Sequence, residues 1–324
     1  MKRGLLPTVL LLVVAVQECP AWAQGYPSRT IRVIDAYPPG GTTDVVARII
    51  SPRFAESTGQ SWVIDSRPGA QGIIGTDLAA KAPADGYTLL MFTASHTIHP
   101  SFYRNLPYDF VRAFAPVTLT SGTTNTLVVN PRVPAKNVKE LVALARARPG
   151  QLNFASAGLG STNHLATELL KSMTGISLTH IPYKGSAPAV IDVIGGQVDF
   201  IIAPMPVVLQ HVKSGKLRAL AVSTSRRAVA MPDVPTIAES GFPGYEATNS
   251  VGVLAPAGTP REIVTKLNGE IVRALNLPEV RDRLLSMGAE PVGNTPEQFG
   301  EYIRAEIAKW AKVIRETGMA VQQW

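Results

Sequence analysis

The strongest constraint on the fold is a regular alternation of short β-branched runs with helical stretches. Residues 30–37 form such a run, ending in Pro38-Pro39-Gly40-Gly41. Residues 43–56 follow, with Val45, Val46, Ile49 and Ile50 at helical spacing. A strand at 61–65, a small-residue helix at 73–80 and a strand at 87–94 complete a βαβαβ unit, which predicts a parallel sheet with right-handed crossovers. The pattern then restarts. Helices are expected at 138–147, 164–173, 188–194 and 207–213, and strands at 152–156, 178–183, 198–203 and 217–224. The last third differs, with a strand at 247–254 followed by helices at 260–275, 278–286 and 296–317. Pro260, Pro278 and Pro296 stand in first helical turns, with Thr259 and Thr295 as N-caps. A chain of 324 residues organised this way predicts two α/β lobes and a helical tail. Lobe 1 takes 24–122 plus 247–324 and lobe 2 takes 123–246, joined by two crossing strands as a hinge.

The single cysteine, Cys19, lies in a leader-like segment. Lys2 and Arg3 precede an apolar stretch from Val9 to Val16, and Ala21-Trp22-Ala23 supplies a small-x-small cleavage site. This predicts export to the periplasm with cleavage after Ala23, leaving a mature chain without cysteine and therefore without disulfides or thiolate chemistry. The charge of +7 is spread along the chain, and aromatic residues are only 6%. No basic stripe interleaved with aromatics suits nucleic acid.

Two strand-to-helix loops carry the chemistry. In the first, Tyr37, Pro39, Gly40, Gly41, Thr42, Thr43 and Asp44 combine a stiff approach, close backbone access and hydroxyls at a helix N-terminus. Free N–H groups and the positive end of the helix dipole suit a carboxylate or phosphate there, although the same residues also serve as a capped turn. The second loop, Gly158, Gly160, Ser161, Thr162 and Asn163, repeats this arrangement in the other lobe. It has Asn163 where a dinucleotide fingerprint needs its third glycine, and no ribose-binding acid follows. Anion-friendly helix starts in both lobes point to a cleft between them.

Supporting candidates are Thr93, Ser95 and His96 at the end of the third strand, Tyr183 in the Tyr183-Lys184-Gly185-Ser186 turn, and Asp199 at a strand start. Asp35 interrupts an apolar strand just before the first loop, so it is either a structural hydrogen-bonding group or a ligand contact. His96, His99, His164, His180 and His211 show no zinc-ligand spacing, and no Gly-x-Ser-x-Gly elbow occurs, so neither a metal centre nor catalysis is expected.

Assembled in order, the motifs resemble the Bordetella uptake gene (Bug) family, the periplasmic solute-binding components of tripartite tricarboxylate transporters. They are YPPGGTTDVVAR at 37–48, RPGAQG at 67–72, ADGYTL at 84–89, LPYD at 106–109, SAGLGS at 156–161, HIPYKG at 180–185 and VPTIAE at 234–239. The resemblance implies a type II periplasmic-binding-protein fold that is monomeric and free of cofactor or metal. It also implies a small organic acid held by backbone amides, hydroxyls and waters from the loops at 39–44 and 158–163, for delivery to transporter membrane subunits. A ligand sensor signalling to a receptor is the alternative, and a secreted hydrolase is the second alternative. One departure stands out: Asp35-Ala36-Tyr37 replaces the family's apolar residue and proline before the aromatic. If Asp35 reaches the cleft, it favours an amino acid, a nicotinate-like acid or a neutral amide over a polyanion. If it points into the lobe, it says nothing about substrate.

Overall fold

The computed structural model describes residues 25–317, 319 and 321–323. The leader, Cys19 and the cleavage site after Ala23 lie outside the described residues. The chain builds two mixed sheets. The first begins with β1 (Ile31–Asp35), α1 (Thr42–Thr58), β2 (Trp62–Ser66), α2 (Ile73–Ala80) and β3 (Thr88–Thr93), with β1 parallel to both β2 and β3. After α3 (Ser95–Phe102), β4 (Tyr103–Arg104) and α4 (Phe110–Ala113) comes the ten-residue β5 (Phe114–Thr123). Only Thr124 separates β5 from β6 (Asn125–Val129), the first strand of the second sheet.

The second sheet adds α5 (Val138–Ala147), β7 (Asn153–Ser156), α6 (Thr162–Thr174), β8 (Thr179–Pro182), α7 (Ser186–Gly195), β9 (Phe200–Pro204), α8 (Met205–Lys213) and β10 (Arg218–Val222). Its order is β10-β6-β9-β7-β8. The chain re-enters the first sheet through β11 (Asn249–Pro256), antiparallel between β3 and β5. It ends in α9 (Arg261–Asn276), α10 (Pro278–Ser286), β12 (Ala289–Pro291), α11 (Pro296–Thr317) and β13 (Gln322–Gln323). The first sheet thus reads β12-β5-β11-β3-β1-β2.

Each sheet buries its own core. Val33, Leu89 and Met91 meet Val46, Ile50 and Phe54 of α1 and Leu267 and Ile271 of α9. Phe154, Phe200 and Ile202 meet Leu141, Val142 and Leu170 in the second lobe. The α5 start is closed by Asn137, whose side-chain oxygen accepts the Glu140 N–H at 2.9 Å, and the α11 start by the reciprocal pair Thr295 and Gln298. The N-cap expected at Thr259 is not formed. Its hydroxyl turns back to the Pro256 carbonyl at 2.7 Å, so Pro260 is the N-cap and carries no side-chain cap. The helix α3 is missed by pattern because Thr, His and Pro100 dominate it. Burial of Ile98 and Phe102 overrides that weak propensity.

Candidate functional site

All strands that feed the candidate loops end at one edge of their sheet. There the two lobes face each other across a cavity of about 40 Å3. From lobe 1 it is lined by Tyr37, Pro38, Gly41, Thr42, Thr43, Thr93, Ser95 and Asn249. From lobe 2 it is lined by Ala157, Thr162, Asn163, Gly185, Ser186, Ala187 and Pro204. None of these carries a charged side chain. The polarity comes from helix starts instead: Thr42, Ser95, Thr162 and Ser186 are the first residues of α1, α3, α6 and α7. Four N-terminal dipole ends, each equivalent to roughly half a positive charge, converge with a hydroxyl at each. The α1 and α7 starts have only Gly41 and Gly185 as N-caps, with no side chain occupying their amides. Such a wall offers donors to an anion without a fixed basic residue.

Hydrogen bonds hold the wall in shape. Thr93 donates its hydroxyl to Asn249 at 2.9 Å, Asn163 donates its side-chain amide to the Ile202 carbonyl at 2.7 Å, and Ser186 donates to Asn163 at 3.3 Å. The lobes touch directly. The Thr162 N–H donates to the Ser95 hydroxyl at 3.3 Å, and the Tyr103 hydroxyl donates to the Leu159 carbonyl at 2.9 Å. A second cavity of about 560 Å3 shares Tyr37, Pro38, Ala157 and Gly185 with the first. It opens past Gln71 and Lys184, the one charged residue on its lining.

Of the residues expected from sequence, Tyr37, Gly41, Thr42, Thr43, Thr93, Ser95, Thr162 and Asn163 line the cavity. The others are not on its lining. Asp44 accepts the Gly40 N–H at 3.0 Å and pairs with Arg48, so it organises the turn that also holds Pro39. Ser161 caps α6, and Gly158 and Gly160 shape its approach. His96 lies flat against Phe110 behind Tyr37. Two expectations are corrected. Asp199 precedes β9, at the opposite end of the sheet from the cavity, and accepts the Asn153 N–H at 2.7 Å. The Tyr183 hydroxyl turns away to donate to Asp192 at 2.7 Å, and partial burial, reinforced by that carboxylate, raises its pKa to about 12. Pro38, Ala157, Ala187, Pro204 and Asn249 were not singled out. Asn249 alone left a signal, an amide at the head of an apolar strand.

Asp35 does not reach the cavity. It is fully buried, accepts the Thr43 hydroxyl at 2.8 and 2.9 Å on its two oxygens, and accepts the Tyr37 N–H at 3.1 Å. Burial pushes its carboxyl up to about 7, against the pull of those two hydrogen bonds. The basis for preferring a neutral or amino ligand is therefore gone.

Four histidines are held neutral, His96, His99 and His164 buried and His180 half-buried. Burial lowers His96 and His180 to about 4 and His164 to about 3, and takes His99 well below its usual value. His96 and His164 each accept a backbone N–H, from Thr93 and Gly160, which needs the neutral ring. Folded values below the unfolded one mean stability complete above about pH 6.5 and lost as pH falls toward the folded values. Between pH 7 and 5, His96 and His164 are each expected to remove about 2 kcal/mol, with Asp35 acting in the opposite sense over the same range. Urea midpoints measured at the two pH values should drop at pH 5, and drop further in Asp35→Asn. A midpoint that rose at pH 5 in that variant would mean the rings are not neutral.

Comparison with known proteins supplies independent context. Residues 46–319 match the model of the "Tripartite tricarboxylate transporter family receptor". The chain is 42% identical to Protein BugT of Bordetella pertussis, over 98% of each chain. Its structure is similar to that of R. palustris Rpa4515 with adipate, with TM-score 0.89 and 40% identity, covering 92% of this chain and all of that one. It is also similar to MatC from Rhodopseudomonas palustris with bound malate, with TM-score 0.85 and 32% identity, covering 89% of this chain and all of that one.

Proposed function

The chain belongs to the tripartite tricarboxylate transporter receptor family, whose members are Bug-type periplasmic binding proteins rather than enzymes, and from that premise we propose that it captures a small carboxylate between its lobes and delivers it to the transporter's membrane subunits. The observation that carries this reading is the convergence of four helix starts, each with a hydroxyl, on a cavity without a charged lining residue. Helix N-termini stabilise an anion, and leave a neutral solute no comparable advantage. Adipate and malate, the acids named for the two similar structures, support a dicarboxylate. One carboxylate fits the small cavity, and the rest of the chain extends into the larger one toward Lys184. In this reading the leader, cleaved after Ala23, carries the protein to the periplasm, where it works as a monomer like the family it resembles. Ligand binding closes the lobes because the closed form offers both walls at once.

The test is calorimetry with adipate and malate on refolded, ligand-free protein, beside Asn249→Asp. Asn249 already uses its oxygen as acceptor for Thr93 and for the Ser250 N–H, so aspartate keeps those bonds and adds one negative charge at the cavity wall. At about 6 Å and an effective dielectric near 20, repulsion of an incoming carboxylate weakens binding roughly 100-fold. Equal affinity in the variant would remove the anion from this cavity.

A further inference from the structure

Asp35 is a buried carboxyl one residue behind the cavity wall. Among the described residues no lysine, arginine or histidine pairs with it, and its partners are the Thr43 hydroxyl and the Tyr37 N–H. Both partners belong to residues that line the cavity. With Asp35 ionised, the single Thr43 proton is committed to the carboxylate, and the hydroxyl can offer a ligand only lone pairs. That is the wrong polarity for an anion.

The charged groups around Asp35 do not relieve this. On α1, Asp44 adds a second negative charge, and Arg48 is tied to Asp44 at 2.9 Å with its side chain largely in solvent. On β2, Asp65 is neutralised by Arg32 and Arg67. On α2, Asp77 pairs with Lys81. Tyr37 and Tyr108 are held protonated by burial, and His96 is neutral.

Resting on the carboxylate-binding reading above, we propose that Asp35 is a positioning residue that makes capture proton-linked. When an anion docks at the α1 start, Asp35 takes one proton from solvent and becomes the donor toward the Thr43 oxygen. The Thr43 hydroxyl then turns its own proton to the ligand. Two hydrogen bonds in series place the ligand charge roughly 5 Å from Asp35, close enough for like-charge repulsion to favour the protonated form. The position of Asp35 near neutrality before ligand arrives means the exchange falls in the physiological range. Capture is thereby tightest where the surroundings are acidic.

The experiment is calorimetric titration of the full protein with adipate from about pH 6.5 to 8.5, where both adipate carboxyls are ionised. Each pH is run in two buffers of different ionisation enthalpy. The expected result is uptake of close to one proton per ligand at the alkaline end, with Kd rising up to tenfold per pH unit there. Asp35→Asn should bind with a flat pH profile and no proton uptake. Thr43→Val, which keeps Asp35 but cuts its link to the ligand, should bind more weakly and take up less proton. Wild-type binding with no proton uptake and a flat profile overturns the proton linkage and leaves carboxylate capture intact. Undiminished uptake in Asp35→Asn overturns the assignment to Asp35. Absence of binding to adipate and to malate in the wild-type protein overturns both readings. The wild-type buffer comparison decides the matter even if a variant fails to fold.

Discussion

Alanine at Gly160 is expected to weaken carboxylate binding roughly 30-fold while leaving each lobe folded. Gly160 belongs to the loop before α6, in lobe 2, and an added Cβ would stand 2.5 Å from the Phe102 ring of lobe 1. Phe102 is 1% exposed and packed among Ile98, Leu165 and Trp310, so the ring has no room to withdraw. The overlap exists only when the lobes meet, and overpacking of this kind costs about 2 kcal/mol, charged wholly to the closed form. The backbone contribution is smaller. At φ +72 the residue occupies the left-handed region, where alanine costs roughly 1 kcal/mol in open and closed forms alike. The two effects separate by measurement, since the first lowers affinity and the second lowers the melting temperature without ligand. Phe102→Leu in the Gly160→Ala background should restore much of the affinity. A double variant that binds no better than Gly160→Ala would mean that closure does not bring these residues together.

The alternation of strand and helix was enough to read both α/β lobes and the helical tail. It sufficed because parallel strands buried on two faces demand continuous apolar runs, as in Leu89–Phe92 and Phe200–Ala203. Both cavity-forming loops were legible because the same glycine and hydroxyl pattern, which alone could be a capped turn, recurs between strand and helix in each lobe. The pattern was silent where long-range packing decides. Asn249 lines the cavity only because β11 returns beside β3 from over a hundred residues away; the turn at 183–186 was noticed, but it is its Gly185 and Ser186, not Tyr183, that line the cavity. Asp199 and Tyr183 looked equivalent to the true lining residues in sequence. Yet Asp199 was already placed at a strand start, the end away from the cavity, and only its partner Asn153 was hidden; which way the Tyr183 ring turns is set by Asp192, which no local pattern identifies. Asp35 was noticed as an anomaly, but its role depends on a hydroxyl eight residues away across a turn.

The tail helix α11 is more than a lid on lobe 1, and Trp310→Ala should expose this through a loss of about 3–5 kcal/mol in stability. Trp310 is 1% exposed and joins Ile98 and Phe102 of α3 with Leu165 of α6, so its ring packs against both lobes behind the cavity. Its indole N–H donates to Glu306 at 2.9 Å, and Lys309 pairs with the other Glu306 oxygen at 3.3 Å. Truncation to alanine therefore removes the ring and also leaves a buried carboxylate short of a donor. Trp310→Phe separates the two losses, since it keeps most of the packing and sheds only the hydrogen bond, for about 1–2 kcal/mol. Urea unfolding with matched slopes measures both, and a loss below about 1 kcal/mol in Trp310→Ala would show that the ring contributes little to the packing between helices. Because Leu165 moves with lobe 2 while Ile98 and Phe102 move with lobe 1, the same truncation also loosens the closed form. Ligand should then raise the melting temperature of Trp310→Ala by less than it raises that of Trp310→Phe at the same concentration, since binding must first supply the closure that the ring supplies here.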